Sequence, residues 1–229
     1  MASSNEENPY FTRLKNMKKT TEWLFEQRAE KAVKILKKNA FEAQYVSDKE
    51  TACAEVLKLI PKEAEIGVGG SMTMRQIGVM EALEKQGNKI YDHWKPGLAP
   101  EDVLKIRKAH LTCDVFLTSA NAVTLDGMLV STDGVGNRVG AMIFGPGRVV
   151  VVAGANKIVE DLQSALRRIK ETAAPQVVKD MGMDVPCAVT GLCSDCNSPM
   201  RACRATVILE RKPLLSDIHV IIVGQDLGF

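Results

Sequence analysis

From Glu65 onward, short apolar runs alternate with stretches of helical periodicity, and this pattern constrains the fold more than any other feature of the chain. Such alternation is typical of β-α-β units around a parallel sheet. The clearest run is VVVVA at residues 149–153. A run of this kind predicts a central strand that is covered on both faces. We therefore predict an α/β fold with an open, mainly parallel sheet and helices on both faces.

The apolar pattern also predicts the individual elements and a division of the chain. A helical segment at residues 1–60 is expected to pack on an α/β domain at 61–229, which carries a cysteine-bearing insertion at about 186–204. Ser47 and Glu50 have capping-box spacing, and the helix they start should stop before Pro61. Strands are predicted at 66–68, 89–93, 115–118, 149–153 and 218–223, and helices at 11–38, 74–84, 101–110 and 158–170.

Charge and hydropathy limit the partners of the chain. Its 229 residues include 30 Lys and Arg against 28 Asp and Glu, a balance that gives no reason to expect nucleic acid. Residues 11–39 hold nine basic and three acidic side chains. They form either a solvated helix face or one that docks on nucleic acid or anionic lipid. No apolar run approaches the ~20 residues of a membrane helix, and residues 1–7 do not resemble a secretory signal. We expect a cytoplasmic protein with reduced cysteines.

Ligands of open parallel sheets bind outside the carboxyl ends of the strands, so the loops there are candidate sites. The first candidate is the loop at 69–73, where Gly69, Gly70, Ser71 and Thr73 could present backbone N–H groups to an anion. Its spacing matches neither the dinucleotide fingerprint nor the P-loop. The alternative is a tight turn with a capping box formed by Thr73 and Gln76.

Two further loops carry the other candidate ligand-binding residues. Asp126-Gly127 is a hairpin-turn signal, yet a turn does not account for all the polar residues near it. Arg138 could hold a carboxylate or phosphate bidentately, while Lys157 could equally be a solvated charge at a helix start. We expect the three loops to meet in one cleft that binds an anionic small molecule. The candidates in the second and third loops are Asn121, Asp126, Asp133, Gly134, Gly136, Asn137, Arg138, Asn156 and Lys157.

Four of the six cysteines form a C-x5-C-x2-C-x6-C pattern, namely Cys187, Cys193, Cys196 and Cys203. Four thiolates can complete a zinc site or an iron–sulfur site, although this spacing matches neither a bacterial ferredoxin nor a zinc ribbon. A redox dithiol and structural cysteines are the alternatives. The three histidines do not cluster, and no catalytic triad can be assembled from the sequence.

Several motifs together resemble the LUD-domain family, named for lactate utilisation. They are TSANAVT at 118–124, DG at 126–127, DG at 133–134, GNR at 136–138, FGP at 144–146, GANKIV at 154–159, GLCSDCNSP at 191–199 and VGQDLG at 223–228, with GGS at 69–71. The resemblance implies the fold class of ribose-5-phosphate isomerase, glucosamine-6-phosphate deaminase and the CoA transferases. The Glu-x-Gly motif of those transferases and the Lys-Gly-Gly-Gly loop of the isomerases are absent, so no catalytic residue is assigned.

The resemblance leads to two hypotheses about function. In the first, the chain is a component of an oxidoreductase system that converts lactate or a similar hydroxy acid to the keto acid. Ser71, Thr73 and Arg138 would hold the anion, and iron–sulfur partner subunits would receive the electrons. In the second, the chain is a ligand-binding or regulatory module for a phosphorylated metabolite or CoA ester. A homo-oligomer is compatible with both.

Overall fold

A six-stranded sheet, in which every neighbouring pair of strands is parallel, forms the centre of the structure, a computed structural model that describes residues 9–229. Across the sheet the strand order is β1-β10-β7-β4-β2-β3. The strands are β1 (Glu42–Val46), β2 (Glu65–Val68), β3 (Lys89–Asp92), β4 (Val115–Thr118), β7 (Arg148–Gly154) and β10 (Ile218–Val223). The predicted open parallel sheet is confirmed.

The central strand β7 shows why this sheet is covered on both faces. Val149, Val151 and Ala153 pack into one hydrophobic cluster, whereas Val150 and Val152 pack into another. Successive side chains of a strand point to opposite faces, so an unbroken apolar run supplies both clusters. Helices cover the first face with Ala29, Ala32 and Leu36, and the second with Ala52, Val56 and Leu83.

The helices follow the predicted order, with local differences at their ends. Those packed around the sheet are α1 (Pro9–Lys38), α2 (Lys49–Lys58), α3 (Met72–Gln76), α4 (Val79–Gln86), α5 (Pro100–Ala109) and α6 (Asn137–Ile143). Asp48, not Ser47, caps α2, because its carboxylate accepts a hydrogen bond from Thr51 N. The single helix predicted at 74–84 is wrong, since the chain breaks at Gly78 (φ +74°) into α3 and α4.

The N-terminal segment is not helical throughout, contrary to the prediction for residues 1–60. Glu42–Val46 forms β1, which pairs in parallel with β10 at one edge of the sheet. Only Ala43 and Val46 of this edge strand are buried. Its sequence, EAQYV, therefore does not need the continuous apolar run that marks the central strands, and the strand was not predicted. Residues 1–8 of the predicted segment lie outside the described residues.

A second, four-stranded sheet, in the order β8-β5-β6-β9, was not predicted. Its strands are β5 (Ala122–Thr124), β6 (Leu129–Asp133), β8 (Ile158–Val159) and β9 (Ala205–Leu209). The predicted hairpin turn at Asp126-Gly127 is confirmed, because β5 and β6 pair antiparallel on either side of it. The turn also docks on α1, where Asn39 Nδ2 donates to the carbonyl oxygens of Asp126 and Gly127 at 3.2 and 3.0 Å.

The helix predicted at 158–170 begins later than expected, since residues 158–159 form β8. Asp161 caps α7 (Leu162–Arg168) by accepting from Ser164 N, and a π-helical turn at Ile169–Ala173 leads into α8 (Ala174–Asp180). The short helix α9 (Pro186–Thr190) begins the cysteine-bearing segment and contains Cys187. Within residues 9–229, no helix has the length and apolar character that crossing a bilayer requires.

The contact between the Asp126-Gly127 turn and α1 makes a first prediction. Gly127 has φ +83°, and a Cβ there would lie 2.8 Å from Ile35 Cγ2 and 3.0 Å from the Ile35 carbonyl carbon. Gly127→Ala should lower the free energy of unfolding by about 3 kcal/mol, from left-handed strain of about 1–2 kcal/mol together with this clash. Chemical denaturation measures the change.

Gly87→Ala is the matched control for this variant. Gly87 has φ +86°, yet a Cβ there would meet nothing within 4 Å. Gly87→Ala should therefore lower the free energy of unfolding only by the left-handed strain of about 1–2 kcal/mol. Equal losses in the two variants would mean that the turn does not pack on α1 as described.

Candidate functional site

A cleft of about 640 Å³ lies at the carboxyl edge of the six-stranded sheet, where the predicted loops meet. It is lined by residues that follow β2, β3, β4 and β7, together with residues near α6 and α8. Ten of the thirteen candidate ligand-binding residues line it: Gly69, Gly70, Ser71, Thr73, Asn121, Asp133, Gly134, Asn137, Arg138 and Lys157. The expected convergence of the three loops on one cleft is therefore confirmed.

Three candidates do not line the cleft, and each has a local structural role. Asp126 lies in the hairpin turn, where its carboxylate accepts a hydrogen bond from the Thr124 hydroxyl. Gly136 adopts the left-handed conformation at the start of α6, with φ +93°. Asn156 Oδ1 accepts from Leu227 N at 3.1 Å and so ties the 154–157 loop to residues near the end of the chain.

Arg138 lines the cleft, but its guanidinium is not free for a ligand, contrary to expectation. Nη1 donates to the Ser119 carbonyl at 3.0 Å, while Nη2 donates to Asn121 Oδ1 at 3.0 Å and to the Thr132 carbonyl at 2.6 Å. A guanidinium has five N–H donors, so these bonds use three of them. Burial lowers the pKa of Arg138, and the nearby Asp133 carboxylate opposes that effect. Arg138 therefore holds the loop after β4 against the end of β6.

The polar candidates near Arg138 make hydrogen bonds within the protein as well. Asp133 accepts from the backbone N–H groups of Gly134, Arg138 and Val139, which satisfies its carboxylate at the start of α6. Asn137 Nδ2 lies 3.2 Å from His110 Nδ1. Because His110 Nε2 is 3.0 Å from the Tyr91 carbonyl and must donate to it, Asn137 donates to Nδ1. Asp133 and Asn137 therefore line the cleft with polar groups that are already partnered.

The glycine loop after β2 packs tightly against its neighbours. A Cβ at Gly69 would lie 2.8 Å from Phe116 Cζ, and Gly70, with φ +59°, lies against the Trp94 ring. Ser71 caps α3 by accepting from Met74 N. The alternative capping box of Thr73 and Gln76 is therefore wrong, and the Thr73 hydroxyl instead meets Lys157.

Lys157 is buried in the wall of the cleft, and no carboxylate among residues 9–229 pairs with it. Its side chain is not a solvated charge at a helix start, because the residue is only 3% exposed. Nζ lies 2.9 Å from Ser119 Oγ and 3.0 Å from Thr73 Oγ1. Burial, followed by the positive charges of Arg168 and Arg138, lowers the pKa of Lys157 to about 7. The cleft thus contains an amine that is partly uncharged at neutral pH.

Sequence reasoning missed a second group of residues on the cleft wall. Arg107 on α5 lines the cleft, and its Nε–H is buried without a hydrogen-bond partner among residues 9–229. His93 also lines the cleft, and its Nδ1 is likewise buried and unpartnered in the described chain. Burial, then the charges of His110 and Arg107, lowers the pKa of His93 to about 4. Arg107 was not predicted because a single arginine near the end of a helix does not by itself indicate a binding site.

The four clustered cysteines line a second, smaller cavity, and Cys203 lines the main cleft as well. All four are free thiols. Burial, and then the neighbouring cysteines, raise the pKa of Cys187. Within the part of the chain described, no three His, Cys, Asp or Glu side chains are grouped so that they could hold a metal ion. A zinc or iron–sulfur site at Cys187, Cys193, Cys196 and Cys203 stays a prediction.

The environment of Lys157 predicts an unusual pH dependence of stability. Unfolding returns its pKa from about 7 to the ordinary value of 10.5, so the unfolded chain binds more protons than the folded chain between these values. The stability contributed by Lys157 should therefore rise with pH across this window, by about 1.4 kcal/mol per pH unit.

Lys157→Met removes the titrating group and keeps a side chain of similar volume. We expect the difference in unfolding free energy between wild type and this variant to grow in favour of wild type from pH 7 to pH 10. Urea denaturation at several pH values measures it, and the subtraction cancels the other titrating groups. A difference that stays constant over this range contradicts the lowered pKa.

Comparisons with known proteins place the chain in a family. A family model described as the LUD domain matches residues 29–223. A DUF162 family protein from Deinococcus radiodurans is 13% identical with a TM-score of 0.48, over 88% of this chain and 98% of that one. Ribose 5 phosphate isomerase A from Neisseria gonorrhoeae is 21% identical with a TM-score of 0.30, over 50% of this chain and 54% of that one. No protein of curated function matches. Because the family model spans most of its length, this chain belongs to the LUD-domain family.

Proposed function

We propose that this chain is the substrate-binding component of a lactate-utilisation system and that it holds lactate, a similar 2-hydroxy acid or the corresponding 2-oxo acid in the cleft. The proposal rests on Arg107, which lines the cleft and whose buried Nε–H has no hydrogen-bond partner among residues 9–229. A buried donor without an acceptor is costly, and a ligand carboxylate would satisfy it.

The charge of the cleft also favours an acid. Among the described residues, two side-chain carboxylates line it, and that of Asp133 is already engaged by three backbone N–H groups, whereas that of Asp180 is not counted among those bonds. Four arginines line it as well, namely Arg107, Arg138, Arg201 and Arg204. Positive charge along the walls of a cleft raises the local concentration of anionic ligands. The association of the LUD-domain family with lactate utilisation supports an organic acid as that anion.

Oxidation of a 2-hydroxy acid releases two electrons and two protons per molecule. We propose that iron–sulfur partner subunits accept the electrons, with this chain supplying the bound acid. A zinc ion or iron–sulfur cluster at Cys187, Cys193, Cys196 and Cys203 belongs to the same proposal. Cys203 lines both cavities, so a group held at these cysteines would border the acid-binding cleft.

The size of the cleft favours a second candidate. A volume of about 640 Å³ lies within the range of roughly 300–1,000 Å³ that is typical of sites for drug-sized ligands, and lactate is much smaller than such ligands. The second candidate function is therefore the binding of a phosphorylated metabolite or CoA ester without turnover. The phosphate of such a ligand would bind to Arg107.

Ligand binding by an Arg107 variant tests both candidates. We expect L-lactate or pyruvate to bind, as measured by calorimetry, and Arg107→Gln to weaken that binding by roughly 10-fold to 100-fold through loss of a charge-assisted hydrogen bond worth about 1.5–3 kcal/mol. The control is Lys108→Gln, which removes one charge from an exposed position on the same helix.

The panel of ligands separates the two candidates. Binding of ribose 5-phosphate or a CoA ester, without binding of the hydroxy and oxo acids, favours the second candidate. Equal affinity of wild type and Arg107→Gln for every ligand that binds contradicts the proposed role of the arginine.

A further inference from the structure

Two hydroxyl groups accept hydrogen bonds from the amine of Lys157 at the wall of the cleft. Nζ lies 2.9 Å from Ser119 Oγ and 3.0 Å from Thr73 Oγ1, and Lys157 lines the cleft. A Cβ at Gly228 would lie only 3.0 Å from Nζ, so the glycine leaves room beside the amine. Neither hydroxyl carries a charge that would favour an ammonium ion at this position.

The directions of these hydrogen bonds leave one position on the Lys157 nitrogen unused. Ser119 Oγ donates its proton to the Ala120 carbonyl at 3.2 Å, and Thr73 Oγ1 donates to the Leu227 carbonyl at 3.4 Å. Each hydroxyl has one proton, so both oxygens must accept from Nζ. These two bonds leave a third position on Nζ. That position is a lone pair in the neutral amine and an N–H group in the ammonium ion.

The charged neighbours of Lys157 favour the uncharged form of its amine. Arg138 and Arg168 lie close enough to disfavour a third proton on the amine, and burial adds to their effect. Both guanidiniums are held in place, Arg138 by three acceptors and Arg168 by the carbonyls of Asn156 and Asn121 at 3.1 and 2.7 Å. A neutral lysine amine in a cleft that attracts anions is the arrangement of an amine nucleophile.

We propose that Lys157 is a nucleophile that forms a Schiff base with a 2-oxo acid bound in the cleft. The proposal rests on the proposed function for the class of ligand. The nitrogen lone pair forms a bond to the carbonyl carbon while the carbonyl π pair moves to oxygen. Both amine protons pass to that oxygen, the C–O bond breaks, and one molecule of water leaves as the C=N bond forms. The step requires no oxidant or reductant.

Trapping with borohydride tests this reaction on the intact chain. Wild-type protein is incubated with pyruvate at neutral pH and then treated with sodium borohydride, which reduces the C=N bond to a stable amine. We expect one pyruvate-derived adduct per chain by intact mass, and peptide mapping should locate it at Lys157. Exposed lysines, such as Lys62, are internal controls in the same digest and should carry only background label.

A variant and a binding measurement complete the test. Lys157→Met keeps a side chain of similar volume but has no amine to form the adduct, so the label should be lost in it. Thermal unfolding checks that this variant folds. Binding of pyruvate, glyoxylate and 2-oxobutyrate is measured in parallel by calorimetry. Binding without an adduct at Lys157, or an adduct spread equally over surface lysines, overturns the Schiff base and leaves the proposed function standing. If none of these 2-oxo acids nor lactate binds, the proposed function fails, and this inference fails with it.

Discussion

The cleft depends on the placement of cationic side chains among uncharged acceptors at the carboxyl edge of the sheet. Removing a charge from water costs several kcal/mol unless hydrogen bonds or a counter-charge offset it. For Arg138, hydrogen bonds to three acceptors of the protein offset this cost. Within the described part of the chain, Lys157 has two hydroxyl acceptors and no carboxylate partner, which favours loss of its proton. Perturbed groups of this kind are concentrated at functional sites.

The parallel sheet explains why these groups meet. Residues distant in the sequence, such as Thr73, Ser119 and Lys157, follow β2, β4 and β7, whose carboxyl ends share one edge. Strand connectivity alone was enough to predict that the loops converge. It did not show which side chains are already occupied by one another. Arg138 was predicted as a ligand-binding residue, yet most of its donors hold the loops together.

Elements with long apolar runs were predictable, whereas short or edge elements were not. The predicted strands 115–118 and 218–223 match β4 and β10, because central strands of a parallel sheet are apolar on both faces. The edge strand β1 and the three-residue β5 lack that signal. Asp126 was assigned to the site as one of several polar residues after β4, but it lies in the hairpin turn and does not line the cleft. Arg107 was missed since its role depends on how α5 packs near the cleft.

We infer that the cleft of this LUD-domain protein holds Lys157 as an amine that is largely uncharged slightly above neutral pH. NMR spectroscopy of the lysine side chain measures its protonation, because the ¹³Cε and ¹⁵Nζ shifts follow the loss of the proton, and the Lys157→Met spectrum identifies the signal. We expect a titration midpoint at a pH of about 7. A midpoint at the ordinary lysine value of 10.5 would contradict it.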